Sequence, residues 1–247
     1  MQHLGWVLTL EGELALSHVA LHRSRGLFRK LGDRSENVSF TTGLLADRSL
    51  RLGDLTNAQM WADEASELAG TAQTSINYAL LRQGQIALSR LDFSRADEHL
   101  HQALTRARHF CDVGFELSVL IAIAELEFRR NRVVEARAQL EEVWDAAQSG
   151  PFHPRQSDAY NVLADIALAK GDKPAATAAA TKAYRAAWCD GPPYAYHWGL
   201  AKAKAHLAAL GAPEPDMPPF DESKFEPMPE VEINPKDEYW VDPDKLE

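Results

Sequence analysis

Small and apolar residues recur along the chain at fixed distances from a series of short polar turns. The turns centre on Gly12, Gly53, Leu91, Asn131, Gly171 and Gly211, at intervals of 41, 38, 40, 40 and 40 residues. Seven residues before each turn stand Gly5, Ala46, Gly84, Ala124, Ala164 and Lys204. Eight before it stand Leu4, Leu45, Gln83, Ile123, Leu163 and Ala203. Five after it come Ser17, Ala58, Ala96, Ala136, Ala176 and finally Asp216; twelve after it come Ser24, Ala65, Ala103, Val143 and Ala183. Small residues at a helix crossing let two backbones approach, and larger apolar neighbours fill the space around them. A one-turn loop then folds each helix pair into an antiparallel hairpin.

The pattern predicts helix pairs at 34–52 with 55–69, 74–90 with 93–110, 114–130 with 133–149, and 156–170 with 173–188. A partial pair (1–11, 14–31) precedes them and a lone helix (193–210) follows. Pro174 falls in the first turn of its helix, where a missing N–H costs nothing. Gly191-Pro192-Pro193 separates the last pair from the final helix.

The small residue before the turn, the turn glycine, and the alanines five and twelve after it resemble the tetratricopeptide (TPR) repeat. LRQGQIALSRLDFSRADEHLHQAL (81–104) shows this best, followed by NVLADIALAKGDKPAATAAATKAY (161–184). The resemblance covers roughly residues 1–211. It implies an all-α, right-handed superhelical solenoid of antiparallel helix hairpins. Two features depart from the family. The period is near 40 rather than 34, which other helical-hairpin repeats share. The bulky aromatic expected 11 residues before the turn appears only as Tyr160, with Thr42, Leu80, Leu120 and Leu200 elsewhere.

Charge separates the body from the tail. Residues 211–247 carry 12 acidic and 3 basic side chains, so the total of −10 divides into −9 for the tail and −1 for the rest. A nucleic-acid surface needs a basic stripe, and none is present. No apolar run is long enough to span a membrane, and two cysteines 78 residues apart form no disulfide framework. The expected setting is the cytoplasm. The expected domains are a repeat array, 1–211, and an acidic proline-rich tail, 212–247, extended or docked. Prolines 213, 215, 218, 219, 227, 229, 235 and 243 forbid helix in that tail. If it docks in a groove, Phe220, Phe225 and Trp240 are the expected anchors.

Both ends carry expectations. The chain starts inside a repeat and its first helix offers Leu4, Trp6, Val7, Leu8 and Leu10 where a polar cap is usual. This suggests the C-terminal part of a longer chain. HWGLAKAKAHLAALGAPEPDMPPFD (197–221) resembles the end of TPR arrays in bacterial signal-transduction ATPases with numerous domains, the STAND class. That resemblance implies a sensor array; the phosphate-binding motif of such an ATPase is absent from this sequence.

Catalysis is not expected. His18 and His22 stand four apart on one helix, without an HExxH motif or a third ligand, and read as a solvated face. Cys111 and Cys189 lie near helix ends with no activating neighbour and read as buried or incidental thiols. No metal or cofactor is expected. A solenoid instead presents a long concave surface. In TPR arrays the first helix of each hairpin lines it, which places Asp47 and Arg51, then Tyr78, Arg82 and Gln85, on the inner face. Glu125, Phe128 and Arg129 follow, then Asp158, Asn161 and Asp165, and last Trp198 and Lys202. Amide side chains that can bond a peptide backbone, aromatics and charges suit protein or peptide recognition. The alternative is a self-association module acting through the first helix and the tail.

Overall fold

The computed structural model describes residues 1–32, 36–147, 150 and 152–224. Among these residues the chain forms eleven α-helices, one short 3-10 turn and no strand. The helices are α1 (Gln2–Glu11), α2 (Leu14–Lys30), α3 (Glu36–Arg51), α4 (Leu55–Ala69), α5 (Gln73–Ser89) and α6 (Phe93–His109). They continue as α7 (Val113–Arg129), α8 (Val133–Ala147), α9 (His153–Ala169), α10 (Lys173–Trp188) and α11 (His197–Leu210). This is an all-α helical repeat. Two boundaries differ from the pattern. Pro154 occupies the first turn of α9, where proline is accepted, so that helix starts at His153. α11 starts late because residues 192–195 turn, with Tyr194 N–H on the carbonyl of Gly191 and Tyr196 N–H on that of Ala187.

All six turn landmarks hold a left-handed backbone, with φ of 86° at Gly12, 74° at Gly53, 62° at Leu91, 62° at Asn131, 71° at Gly171 and 66° at Gly211. In each, the next residue's N–H reaches the carbonyl five positions back: Glu13 to Leu8, Asp54 to Ser49, Asp92 to Ala87, Arg132 to Glu127, Asp172 to Ala167 and Ala212 to Leu207. That bond closes a Schellman turn and satisfies carbonyls the helix end leaves free. Three of these turns end in an aspartate that starts the next helix. Asp54, Asp92 and Asp172 accept the N–H of Asn57, Arg95 and Ala175 at 3.0, 3.2 and 3.0 Å. Stop and start signals are therefore adjacent in sequence, which fixes a tight reversal.

Where the two helices of a hairpin cross, side-chain volume is shared between two positions. A Cβ on Gly5 would lie 2.7 Å from Leu21 Cδ2. The same two register positions hold the fully buried Ala46 and Ala62 in one later hairpin, and Ala164 and Ala180 in another. Gly with Leu, or Ala with Ala, fills four of these crossings at close packing, while the α7–α8 hairpin seats the larger pair Ala124 and Leu140, both fully buried.

The chain divides into two compact units, residues 1–76 with the stretch from Pro219, and residues 77–218. In the first, Leu21, Leu44 and Leu45 form a core under Trp6, Phe40 and Trp61. In the second, one continuous core runs from Leu81 to Ile166 and includes Leu100, Phe115, Leu120, Ile123 and Leu140. There α7 packs on α8 and α9, and α9 on α10 and α11.

Polar ties cross from one repeat to the next at about the repeat period. In the first unit Gln2 Nε2 donates to Thr41 Oγ1 at 2.8 Å and Arg25 pairs with Glu64. In the second, Arg130 reaches Asp97 at 3.0 Å, Arg108 pairs with Glu142, and Tyr196 Oη donates to Asp158 at 3.1 Å.

Candidate functional site

The expected binding residues fall on the first helix of each hairpin at helical spacing, so each helix offers one stripe. Within residues 77–218 these helices are joined sideways. Tyr78 of α5 packs its ring on Phe115 of α7 at 5.2 Å, and α7, α9 and α11 follow in contact. Asp47 and Arg51 belong to the other unit. Asp47 is only 2% exposed and accepts from Arg51 Nε at 3.2 Å.

Burial sorts the stripe into two groups. Arg82 is 6% exposed and donates through Nη1 to Gln85 Oε1 at 2.7 Å. Asn161 is 1% exposed and donates through Nδ2 to the carbonyl of Gly199 at 3.0 Å. Asn161 thus ties α9 to α11 rather than facing outward, a correction to the expected peptide contact. Asp47 and Arg82 are corrected with it: both are nearly fully buried and bonded to side chains of their own helices, Arg51 and Gln85. The reason is physical: a buried polar side chain takes a partner inside the fold. Tyr78, Gln85, Glu125, Phe128, Asp165 and Trp198 are half-buried and Arg129 is exposed. Phe128 rests on the core, and Glu125 pairs with Arg129 at 2.6 Å. Trp198 stands edge-on to His197 at 5.0 Å.

Asp165 lies at the centre of a charged cluster. It takes Lys202 Nζ at 2.7 Å and His206 Nε2 at 2.8 Å, both from α11. Burial pushes its carboxyl upward, but the His206 bond and the Lys202 charge outweigh that and hold it below the ordinary value. Asp158 likewise accepts from Tyr196.

Several structural residues escaped the stripe reading. Ser39 and Ser157 each stand fourteen residues before a turn and donate to the carbonyl twelve after it, Ala65 at 2.7 Å and Ala183 at 3.0 Å. The recurrence of serine at that register was the available signal. His206 stands 41 residues from Asp165, one repeat on, and that spacing was its signal.

His18 and His22 correct the solvated-face expectation. They are half-buried, their rings 4.2 Å apart, and His22 meets Trp61 edge-on at 5.7 Å. Burial, then the neighbouring His18, Arg25 and Arg48, push the His22 pKa down to about 4. Of the two alternatives for Cys111 and Cys189, buried or incidental, exposure removes the first: both are exposed, at positive φ of 54° and 50° in the turns between hairpins. Phe220 of the expected tail anchors is half-buried; Phe225 and Trp240 lie outside the described residues. Among the described residues no three His, Cys, Asp or Glu side chains group as metal ligands, and no helix is long and apolar enough to cross a membrane.

These features define an all-α helical-repeat protein with a half-buried, mixed aromatic and polar stripe across α5, α7, α9 and α11. The chain matches no protein-family model, no curated protein and no solved structure among those compared.

Proposed function

We propose that the chain is a non-catalytic scaffold of TPR type that binds a protein or an extended peptide across α5, α7, α9 and α11. The observation that carries this reading is the row of partly accessible Tyr78, Gln85, Glu125, Phe128, Arg129 and Trp198 on helices packed side by side. Aromatic side chains there offer contact area, Gln85 offers a backbone-bonding amide, and the Glu125–Arg129 pair sets charge preference. The proposal extends to a role as the sensing array of a larger bacterial signalling protein, for which the 197–221 resemblance is the support.

The test is selection of peptide ligands by display against the full chain, followed by affinity measurement with Gln85→Ala, Phe128→Ala and Trp198→Ala variants. Loss of about tenfold or more in at least two variants, each a change of roughly 1.4 kcal/mol, is expected. Equal affinity for all three would overturn the assignment of this face.

One observation favours the second reading, self-association. Leu4, Val7 and Leu16 on the first hairpin are 50%, 40% and 48% exposed, and clustered exposed apolar side chains mark interaction sites. Leu4→Glu with Val7→Glu should halve the mass seen by light scattering if that hairpin pairs two chains. An unchanged mass removes this reading.

A further inference from the structure

The proline-rich stretch after α11 does not trail away. Gly211 turns the chain, and Ala212 N–H bonds the carbonyl of Leu207 at 2.9 Å. Residues 212–218 then run without regular structure along α10. Two side chains one helical turn apart hold them there. Tyr184 Oη donates to Glu214 Oε2 at 2.9 Å, and Trp188 Nε1 donates to the carbonyl of Pro218 at 2.8 Å. The two rings stack 5.7 Å apart at 19°. Lys204 of α11 completes the pocket, with Nζ 3.2 Å from Glu214 Oε2 and 5.8 Å from the centre of the Tyr184 ring. The anchoring groups are thus four residues apart on the helix and four apart on the strap.

The chemistry is that of proline-rich peptide recognition. An extended strand rich in proline loses little freedom on docking. Stacked aromatic rings supply a flat apolar floor, and an indole N–H reads a backbone carbonyl. Here a phenol and an ammonium also converge on one carboxylate. Burial, then the bond to Glu214, pushes the Tyr184 pKa up to about 12, so it remains a donor across the neutral range.

We propose that the Tyr184–Trp188–Lys204 face of α10 and α11 is a second binding site, for an acidic proline-rich peptide of another protein, and that residues 212–218 occupy it in cis. The ligand it selects is an extended segment with a carboxylate placed four residues before a proline carbonyl, as in Glu214-Pro215-Asp216-Met217-Pro218. The strap is an exchangeable occupant. Pro213, Glu214, Asp216 and Pro218 are themselves exposed, Lys204 is exposed and Trp188 is half-exposed, so apart from Tyr184, which is 3% exposed, the contacts lie within reach of solvent. Polar contacts of this exposure are individually weak. Their occupancy rests on the tether, which holds the strap at an effective concentration on the order of millimolar. A foreign peptide that makes the same contacts and adds one anchor displaces it. This site is separate from the stripe on α5, α7, α9 and α11, and neither depends on the other.

The experiment uses the full chain and a labelled synthetic peptide of sequence 211–224. Glu214→Lys in the full chain places a cation against Lys204 and frees the strap. The peptide should bind this variant about tenfold more tightly than the wild type, because the wild-type site is mostly occupied. The Trp188 indole N–H resonance should shift on binding. Adding Trp188→Phe or Tyr184→Phe to Glu214→Lys should abolish binding, while the far-ultraviolet dichroism stays that of the wild type. The Tyr184→Phe change keeps the ring and its packing, so it serves even if the tryptophan change disturbs the fold. A peptide with lysine at the glutamate position should not bind. Equal affinity of wild type and Glu214→Lys, or binding indifferent to Tyr184→Phe, overturns the proposal. A doubled mass of the Glu214→Lys chain without peptide also overturns it, since the occupant would then be a second copy.

Discussion

Gly84 and Leu100 share one space at the crossing of α5 and α6: a Cβ on Gly84 would lie 2.7 Å from Leu100 Cδ2 and Cγ and 3.4 Å from its backbone nitrogen. Leu100 is fully buried. Gly84→Ala should therefore destabilise the wild type, because overpacking of about 1–3 kcal/mol exceeds the gain of roughly 1 kcal/mol from replacing a helical glycine. Leu100→Ala alone should cost about 2–5 kcal/mol. In the Leu100→Ala background the same Gly84→Ala change should stabilise, since it recreates the pairing of Ala46 with Ala62. A double-mutant cycle by urea unfolding reads the coupling directly. Simple additivity would sink the shared-volume account.

Leu91 holds φ 62° while 63% exposed. The left-handed backbone costs an L residue about 1–2 kcal/mol, and an exposed side chain returns little burial. Leu91→Gly should raise stability by roughly 0.5–1 kcal/mol after the extra chain entropy of glycine is counted. Asn131→Gly should gain less, because asparagine tolerates that conformation. Thermal melts of the two variants, compared with wild type, provide the ranking.

His22 titrates only near pH 4 in the folded chain, against an ordinary value of 6.5. The unfolded chain therefore takes up a proton first as the pH falls. The stabilising contribution of the neutral imidazole is complete above about pH 6.5 and is lost progressively as pH falls toward about 4. His22→Phe should flatten that slope. A carbon-proton NMR titration of the His22 ring with a midpoint near 6.5 would contradict the burial argument.

Asn161→Ala should act on stability rather than on recognition. It removes the bond to the carbonyl of Gly199 between α9 and α11, at a cost of about 1 kcal/mol. Ligands selected for the α5–α11 stripe should bind the folded variant as they bind the wild type. A loss of affinity with unchanged melting would return Asn161 to the binding face.

The turns were readable because their requirement is local. Spacing alone located Leu91 and Asn131 among the glycines, and the backbone there adopts the same left-handed turn. Helix boundaries were readable for the same reason, apart from residues around Pro154, which sits inside the first turn of α9, and Pro193, which sits in the turn before α11. The stripe was half-readable. Helical spacing places Arg82 and Asn161 correctly on the first helices, but exposure depends on what lies one repeat away. Gly199 contributes only a carbonyl to Asn161, and a backbone group leaves no mark in the sequence. The Tyr184–Glu214 and Trp188–Pro218 bonds were hidden too. An aromatic at helical spacing reads as core, and docking of a proline-rich tail gives no hint of which residues touch.

The strap on α10 has one more effect. With Tyr184 and Trp188 already engaged, this flank of α10 is taken by residues 212–218, and a further helix could stack there only after lifting them away. Lengthening the stack past α11 would require seven residues of no regular structure to give up their seat first.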